Sequence, residues 1–418
     1  MANNAILITY PQPDSIKEAL ALADAAGYNV IKVVTQKYLS KSRYGIGSGK
    51  AEEVKNDVEE LKANVIIFDE VLRSTQVYNL ARLLQIQIID RERLILEIFE
   101  RRASSAESRI QVKLAQLRYE MTRAREKVRL AKLGEQPGFF GLGRYEVDNY
   151  YRDIKRRIST LKQKLGKVSN RRDLFRYQRI KQGFPLVLLA GYTASGKTTL
   201  FNLLTGENHD IGKGMFTTLA TYTRALALLK GKVLVSDTVG FISKLPAYMI
   251  EAFKSTLDEL TYANIVLLII DINGPLVEVA RKYDSCLEIL NELHVPQTKV
   301  LNVLNKIDLT SEEDAMEKVK QLGMFENRRY IMVSAKTGHN VECLKELINS
   351  MVFEHAKVSM KVDQKGLADN SESMELQKDI VSINIDKQFD GTTIATLSEP
   401  SGVVDSFNEV IENEGSNS

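Results

Sequence analysis

The stretch from Gly191 to Thr199 constrains the fold of this 418-residue chain more than any other stretch. It lies between an apolar run that ends at Ala190 and a helix-compatible run that begins at Leu200. It reads Gly191-Tyr192-Thr193-Ala194-Ser195-Gly196-Lys197-Thr198-Thr199. The pattern Gly-x-x-x-x-Gly-Lys-Thr at a strand-to-helix turn is typical of a phosphate-binding loop. We therefore expect an α/β domain built around this turn.

The residue types of the loop each have a chemical reason. Glycines let successive backbone N–H groups curl around phosphate oxygens, and the following helix offers its positive N-terminal end. Lys197 adds a positive charge, and Thr198 is predicted to ligate Mg²⁺ through its hydroxyl group. We expect all nine residues to form the binding site of a triphosphate.

Two further segments supply what such a site needs. The run Asp237-Thr238-Val239-Gly240 ends a predicted strand; Asp237 would hold Mg²⁺ through a water, and Gly240 would offer its N–H to the γ-phosphate. Phe216-Thr217-Thr218 lies in a polar connection, where Thr218 is predicted to reach the metal. We assign Lys197, Thr218 and Gly240 to catalysis.

The base is indicated by two short motifs that follow predicted strands. In Asn305-Lys306-Ile307-Asp308, Asp308 can accept both guanine N–H groups, which adenine lacks, while Asn305 and Lys306 brace and cover the base. In Ser334-Ala335-Lys336, the Ala335 N–H would meet the guanine carbonyl. Because these motifs occur in the right order at strand ends, we predict a Ras-like P-loop domain that binds GTP and GDP.

The chain divides into four regions by pattern and charge. Residues 1–103 alternate short apolar runs with helix-like stretches, which predicts a parallel α/β sheet. Residues 104–182 carry helical periodicity, and residues 183–354 form the GTPase domain. Residues 355–418 hold 5 basic and 12 acidic side chains, which favours a disordered tail or a small β appendage.

Positive charge is concentrated in residues 101–182, which hold 23 Lys and Arg against 8 Asp and Glu. Their two apolar stripes predict a long antiparallel helical hairpin with outward basic faces, which suits a nucleic acid partner. The hairpin tip, Gly138 to Gly143, holds Phe139 and Phe140. These aromatic rings can stack on unpaired bases or pack between the helices.

A second glycine-rich stretch, Gly45-Ile46-Gly47-Ser48-Gly49-Lys50, lacks the four-residue gap and the hydroxyl residue after its lysine. We favour the start of a helix over a second nucleotide site. The alternative is an ATP-dependent RNA-remodelling or ribosome-assembly factor that uses the N-terminal domain as that second site.

Composition narrows the class of protein. Two cysteines and four histidines show no metal-ligand spacing, so a structural zinc is not expected. No apolar run approaches the roughly 18–20 residues that span a bilayer, so we expect a cytoplasmic monomer without a membrane span. Association with a ribosome or a membrane surface remains compatible with this expectation.

Several longer stretches resemble the HflX family of ribosome-associated GTPases, in its archaeal type. They are Asp237–Ile242 with Leu245-Pro246, Ala252–Leu257, Ile89-Asp90-Arg91 with Ile95–Phe99, and Gln111–Leu117. The hairpin tip differs from the acid- and Gly-rich loop of common bacterial members. The resemblance covers about residues 5–354 and does not reach the tail.

The resemblance implies a GTPase that binds the large ribosomal subunit and splits or rescues ribosomes. It implies contact with ribosomal RNA through the basic hairpin and the N-terminal domain. Many small GTPases place a glutamine directly after Asp-x-x-Gly, where this chain has Phe241. Since phenylalanine cannot orient water by hydrogen bonding, we predict slow intrinsic hydrolysis that the ribosome stimulates.

Overall fold

The computed structural model describes residues 3–39, 43–132, 144–207, 215, 222–243, 246–324, 329–365, 387–389 and 392–394. The predictions for Phe216, Thr217 and Thr218 and for the hairpin tip therefore lie outside the described residues. Of the chain after residue 365, the description covers one antiparallel strand pair, Lys387–Phe389 with Thr392–Ile394.

The N-terminal part of the chain forms a four-stranded parallel sheet in the order β2-β1-β3-β4. Its elements are β1 (Asn3–Thr9), α1 (Pro13–Ala25), β2 (Tyr28–Thr35), α2 (Ser48–Leu61), β3 (Val65–Phe68), α3 (Ser74–Leu84), β4 (Gln87–Asp90) and α4 (Arg91–Arg102). The predicted alternation of strands and helices around a parallel sheet is confirmed.

The apolar run in β1 reflects burial on both faces of this sheet. Ile6 and Ile8 belong to one buried cluster with side chains of α2 and α3, whereas Ala5 and Leu7 belong to another with side chains of α1 and α4. Successive side chains of a strand point to opposite faces, so a strand covered by helices on both sides is apolar throughout.

The basic hairpin consists of α5 (Ala106–Lys132) and α6 (Arg144–Lys181). Val112, Leu114 and Leu117 of α5 are buried in the same cluster as α1 and α4 of the N-terminal sheet. On α6, Ile154 and Ile158 are buried, whereas Tyr150 is half exposed. Tyr150 lies close to the undescribed tip, where α6 begins.

The second sheet has six strands in the order β10-β9-β8-β5-β7-β6, and it is parallel except for the pairing of β6 with β7. Its strands are β5 (Leu186–Gly191), β6 (Tyr222–Leu228), β7 (Gly231–Asp237), β8 (Ile265–Asp271), β9 (Val300–Asn305) and β10 (Tyr330–Met332). Its helices are α7 (Lys197–Thr205), α8 (Ala247–Leu257), α9 (Glu259–Tyr262), α10 (Leu276–Glu292), α11 (Glu312–Gln321) and α12 (Val341–Lys365). This is the predicted P-loop architecture.

The two sheets are joined by packed side chains as well as by the chain itself. The rings of Phe99 on α4 and Phe253 on α8 meet edge to face, with centroids 4.9 Å apart. Arg118 of α5 donates to both carboxylate oxygens of Glu251 on α8. Both contacts fix the N-terminal sheet and the hairpin against the second sheet. Among the residues described, no helix is long and apolar enough to cross a membrane.

Candidate nucleotide-binding site

The phosphate loop connects the end of β5 to the start of α7, as the sequence predicts, and two of its glycines are sterically required. Gly191 has a φ of +145°, and an added Cβ would lie 2.3 Å from the Ile269 carbonyl oxygen. Gly196 has a φ of +95°, and its Cβ would lie 2.3 Å from Asn305 Nδ2. A side chain at either position would displace a neighbouring strand end or the loop itself.

Lys197 lies buried beneath the loop, where its ammonium group donates to the carbonyl oxygens of Gly191 (3.0 Å) and Tyr192 (2.8 Å). Burial lowers the pKa of Lys197 to about 8, although the nearby Asp237 carboxylate opposes this shift. Two neutral carbonyl groups compensate a buried positive charge incompletely. Phosphate oxygens would supply the missing negative charge.

Two buried hydroxyl groups of the phosphate loop are suited to contact a ligand. The hydroxyl oxygens of Thr193 and Ser195 are buried, and neither has a hydrogen-bond partner in the described part of the chain. A buried hydroxyl group without a partner is unfavourable by about 1–3 kcal/mol. The loop is therefore chemically suited to a polar, anionic group such as a triphosphate.

Two oxygen donors suited to Mg²⁺ meet where β7 ends. Thr198 Oγ1 donates to Asp237 Oδ2 at 2.8 Å, and Asp237 is almost fully buried. Within the described residues, no group of three or more His, Cys, Asp or Glu side chains could hold a metal by itself. A hydroxyl and one carboxylate fit an ion that completes its shell with phosphate oxygens and water. Thr218, the third predicted ligand, lies outside the described residues.

The segment from Asp237 to Ser243, here called the switch segment, lies directly on the phosphate loop. Phe241 N donates to Gly191 O (3.0 Å), and Thr193 N donates to Phe241 O (2.8 Å). A Cβ added at Gly240 would lie 2.9 Å from Thr193 Cγ2 and 3.1 Å from Lys197 Nζ. Gly240 is thus beside the ammonium group that would meet the phosphates. Thr238 Oγ1 donates to Leu189 O at 2.6 Å, which ties the switch segment to β5.

Asn305 links the phosphate loop to the Ser334–Lys336 segment, which together form the two sides of the predicted base site. Its Nδ2 donates to Ser195 O (2.8 Å), and its Oδ1 accepts from Ala335 N (2.9 Å). The Ala335 N–H, which we assigned to the guanine carbonyl, therefore has a protein partner here. Ser334 Oγ donates to Asp308 Oδ1 at 2.6 Å and orients the carboxylate that is predicted to read guanine.

The side chain of Lys306 extends from the predicted base site across the phosphate loop. It donates to Ala194 O (3.0 Å) and to Asp271 Oδ2 (2.6 Å). The structure thus brings together the residues predicted from four separate segments, with Lys336 exposed at the rim. Asp271 was not predicted as part of the site. Its position at the carboxyl end of β8, beside a strand that ends in Asn305, could have indicated it.

Comparison with known proteins covers most of the chain. Residues 13–100 match the family described as GTP-binding GTPase N-terminal, residues 102–179 the GTP-binding GTPase Middle Region, and residues 186–306 the 50S ribosome-binding GTPase. The GTPase HflX of Methanocaldococcus jannaschii is 42% identical over 350 residues, which are 83% of this chain and 84% of that protein. The chain belongs to the HflX family of GTPases.

Other HflX relatives extend the comparison. The GTPase HflX of Thermococcus kodakarensis is 42% identical over 80% of this chain and 77% of its own, and that of Escherichia coli is 33% identical over 82% and 81%. A crystal structure of a GTP-binding protein from Sulfolobus solfataricus in complex with GDP is 27% identical, with a TM-score of 0.47, and covers 85% of this chain and 99% of that chain. The identities of the HflX relatives and the family matches confirm the predicted resemblance, and the chain is a GTP-binding GTPase.

The second glycine-rich stretch of this HflX-family chain begins a helix. Gly47 precedes the first turn of α2 in extended conformation, and its N–H donates to Gln36 Oε1 at 3.2 Å. Lys50 donates to Glu53 at 2.9 Å. Gly45 has a φ of +76°, and its Cβ would lie 2.9 Å from Leu39 O, so this glycine serves chain packing. These contacts match the helix start that the sequence favoured.

Two charged residues of the HflX N-terminal region contact the nucleotide site, and neither was predicted to. Glu18 on α1 accepts a hydrogen bond from Tyr192 Oη at 2.8 Å, and Arg91 at the start of α4 donates to Ser243 O at 3.4 Å. Tyr192 was predicted only as a loop residue, yet its side chain points away from the loop to the N-terminal sheet. No local pattern reveals a contact between residues 174 positions apart.

Proposed function

We propose that this HflX-family GTPase associates with the large ribosomal subunit and splits or rescues ribosomes. The exposed basic face of α6 carries the proposal. Lys155, Arg156, Lys162, Lys164 and Lys167 are exposed on this helix, which the GTPase region follows directly. A polyanion such as ribosomal RNA is the partner that such a face suits. The match to a family described as 50S ribosome-binding GTPase supports the same partner.

GTP with Mg²⁺ is the proposed ligand of the site. Lys197 and the N–H groups of the phosphate loop would hold the phosphates, while Thr198, Asp237 and Thr218 would hold the ion. Mg²⁺ neutralises charge on phosphate oxygens during phosphoryl transfer. Asp308 would select guanine, with Ser334 fixing the orientation of its carboxylate.

The position of Phe241 supports slow intrinsic hydrolysis. Its side chain is 2% exposed, and its backbone is held to the phosphate loop by two hydrogen bonds. An aromatic ring in this position offers no hydrogen bond to an attacking water. We propose that ribosomal surface completes the site and stimulates hydrolysis.

The proposed cycle uses four functional regions. Residues 183–354 sense the nucleotide, residues 104–182 and 1–103 contact the ribosome, and residues 355–418 stay a prediction of a disordered tail or a small β appendage. GTP would order the switch segment and the connection around Thr218, and hydrolysis would release both. Ribosome association would make the working location cytoplasmic, with the protein acting as a monomer.

Salt-dependent binding to isolated large subunits tests this function. Arg157 already pairs with Asp153 at 2.8 Å, so we choose its exposed neighbours for a double variant, Lys155→Ala with Arg156→Ala. Each lost phosphate contact reduces the slope of log affinity against log salt by about 0.7–0.9. With a nonhydrolysable GTP analogue bound, the double variant should bind more weakly at low salt and show a slope reduced by about 1–2.

The matched control removes two positive charges elsewhere. Lys230 is exposed at the turn between β6 and β7 and Lys232 near the start of β7, so their replacement by alanine removes the same net charge away from the hairpin. The control should leave the slope close to that of the wild type. Unchanged affinity and slope in the Lys155/Arg156 variant would remove the hairpin from the interface.

The alternative, a second nucleotide site in the N-terminal domain, has a specific structural argument against it. The crevice where this sheet reverses strand order lies at the carboxyl ends of β1 and β3. This crevice is filled by three side chains, because Asp69 there accepts hydrogen bonds from Thr9 and from Arg91. ATP turnover that survives Lys197→Ala but disappears with Lys50→Ala would nevertheless establish the alternative.

A further inference from the structure

A polar cluster joins the N-terminal sheet to the phosphate loop and the switch segment. It consists of Glu18, Arg91, Tyr192, Ser243 and Arg281, and all but Arg281 are buried. Glu18 comes from α1, Arg91 from α4, and Arg281 from α10. Two charged side chains of the N-terminal region, Glu18 and Arg91, therefore meet a tyrosine and a serine of the nucleotide site, together with Arg281 from the same half of the molecule as that site.

The hydrogen bonds of the cluster have a fixed direction. Tyr192 Oη lies 2.8 Å from Glu18 Oε2, and a carboxylate can only accept, so the single tyrosine proton goes to Glu18. The tyrosine oxygen must then accept from Ser243 N (2.9 Å) and from Ser243 Oγ (2.8 Å). One phenol group thus ties the end of the switch segment to the N-terminal sheet.

Two arginines hold the carboxylate in place. Arg91 donates to the other Glu18 oxygen and to Asp69, and Arg281 Nη2 donates to Glu18 Oε2 at 3.3 Å. Arg281 Nη1 also donates to Ser243 Oγ at 2.7 Å. Burial alone would raise the pKa of Glu18, but the positive charge and hydrogen bond of Arg91 outweigh it, so the pKa is lowered. The carboxylate remains charged and can orient Tyr192.

We propose that Glu18 is a positioning residue of the GTP site. It acts through Tyr192 on the phosphate loop and on Ser243, which ends the switch segment. The nucleotide site is therefore completed by a side chain from the N-terminal sheet. This inference concerns nucleotide discrimination and does not depend on ribosome binding.

The arrangement of the switch segment explains why this contact matters for the γ-phosphate. Gly240 packs beside Lys197 Nζ, and the backbone of Phe241 is bonded to Gly191 and Thr193. A γ-phosphate that draws in Lys197 and the Gly240 N–H must move this backbone, while Ser243 stays fixed to Tyr192. The cluster thus sets the free-energy difference between the GTP and GDP states, because GDP makes no such demand on Gly240.

The test compares dissociation constants for GDP and a nonhydrolysable GTP analogue, with Mg²⁺, in the full-length protein without ribosomes. Tyr192→Phe removes one hydroxyl group, and Glu18→Gln removes the charge at nearly constant size. Each variant should change the ratio of the two constants by about fivefold or more, the lower end of typical coupling between sites. If Glu18 acts through Tyr192, the double variant should resemble the single variants and not show the product of their effects.

A matched control removes the same kind of bond elsewhere. Tyr28 Oη donates to Glu97 Oε2 at 2.7 Å within the N-terminal sheet, so Tyr28→Phe should leave the ratio within about twofold of the wild type. Loss of a partner from a buried ion pair can prevent folding. Thermal unfolding identifies such a case for Glu18→Gln, and Tyr192→Phe then decides alone. A ratio unchanged in the folded variants, or additive effects in the double variant, would overturn the proposal.

Discussion

We propose that the side chain of Asp308 determines the choice of base. Its carboxylate accepts a hydrogen bond from Ser334 Oγ at 2.6 Å, which fixes its orientation, while a carboxylate retains capacity for further donors. Guanine presents two N–H groups on one edge, whereas xanthine has a carbonyl oxygen in place of the amino group. The acceptor at position 308 therefore matches guanine.

We predict that Asp308→Asn reverses this preference. The amide replaces one carboxylate acceptor by an NH₂ donor group, so the affinity for GTP should fall by about 10- to 100-fold, which corresponds to the 1.5–3 kcal/mol of hydrogen bonds to a charged group. Affinity for xanthosine triphosphate should rise. Competition binding with both nucleotides measures the change, and a GTP preference equal to that of the wild type would contradict this role of Asp308.

Gly196 and Gly206 both have positive φ, so alanine variants at the two positions separate the cost of backbone strain from that of steric overlap. Its added Cβ would meet Asn305 Nδ2 at 2.3 Å, whereas Gly206, with a φ of +71°, has no atom within 4 Å of its Cβ position. Gly206→Ala should therefore destabilise the fold by about 1–2 kcal/mol through backbone strain and leave nucleotide binding unchanged.

Gly196→Ala should also lower nucleotide affinity, by at least about tenfold, because it displaces the Asn305 brace, whose lost hydrogen bonds are worth about 1 kcal/mol each. Titration calorimetry and thermal unfolding of both variants separate the two effects. Equal nucleotide affinities in the two variants would show that the overlap at Asn305 is relieved without consequence.

At the level of elements, the sequence predicted the strands and helices that surround the site because each has a strong local signal. β5 is a continuous apolar run, and Gly191 and Gly196 mark the turn after it. Helix α4 is absent from the predicted elements, although its sequence resembles that of the HflX family. Asp90, whose side chain accepts from Arg93 N at 3.0 Å, and the buried residues Leu94, Ile95 and Ile98 would have indicated its start and its apolar face.

Contacts between elements could not be predicted in the same way. The bonds of Glu18 with Tyr192 and of Arg118 with Glu251 join elements that are far apart in the sequence, and neither pair belongs to a motif. Such pairs depend on how α1 and α5 pack against the second sheet. Their free energy belongs to the tertiary structure, so only the folded arrangement reveals them.

The stabilisation that the Arg118–Glu251 ion pair gives to the packing of α5 against α8 should depend on pH. The hydrogen bonds from Arg118 lower the pKa of Glu251 to about 2, from an ordinary 4.5, although its side chain is 54% exposed. A carboxylate with a lowered pKa stabilises the fold fully above its unfolded-state value and progressively less as pH falls toward its folded-state value. Solvent screening limits the contribution to less than about 1 kcal/mol.

Glu251→Gln should therefore be less stable than the wild type at neutral pH, and the difference should narrow between pH about 4.5 and about 2. Urea unfolding at neutral pH and near the lower end of this window measures it. A comparable change at Glu342, which pairs with Lys345 inside α12 at 2.7 Å, serves as control for surface charge. A difference between Glu251→Gln and wild type that is independent of pH would contradict the assignment.

At the scale of the whole molecule, we propose that the GTP site is a sensor whose nucleotide state affects other parts of the chain. The switch segment connects to the N-terminal sheet through Ser243, and α8, which follows it, connects to the basic hairpin through Glu251 and Arg118. Ser243 and Glu251 follow Gly240 by 3 and 11 residues in the sequence. Nucleotide state and partner binding are therefore expected to influence each other reciprocally.

The proposal that the ribosome completes the GTP site is tested by the rate of GTP hydrolysis with and without isolated large ribosomal subunits. Because Phe241 offers no hydrogen bond to water, the purified protein should hydrolyse GTP slowly, and large subunits should accelerate hydrolysis by on the order of 100-fold or more, as a completed transition-state site does. The acceleration should require Lys197. Equal rates with and without large subunits would contradict the account.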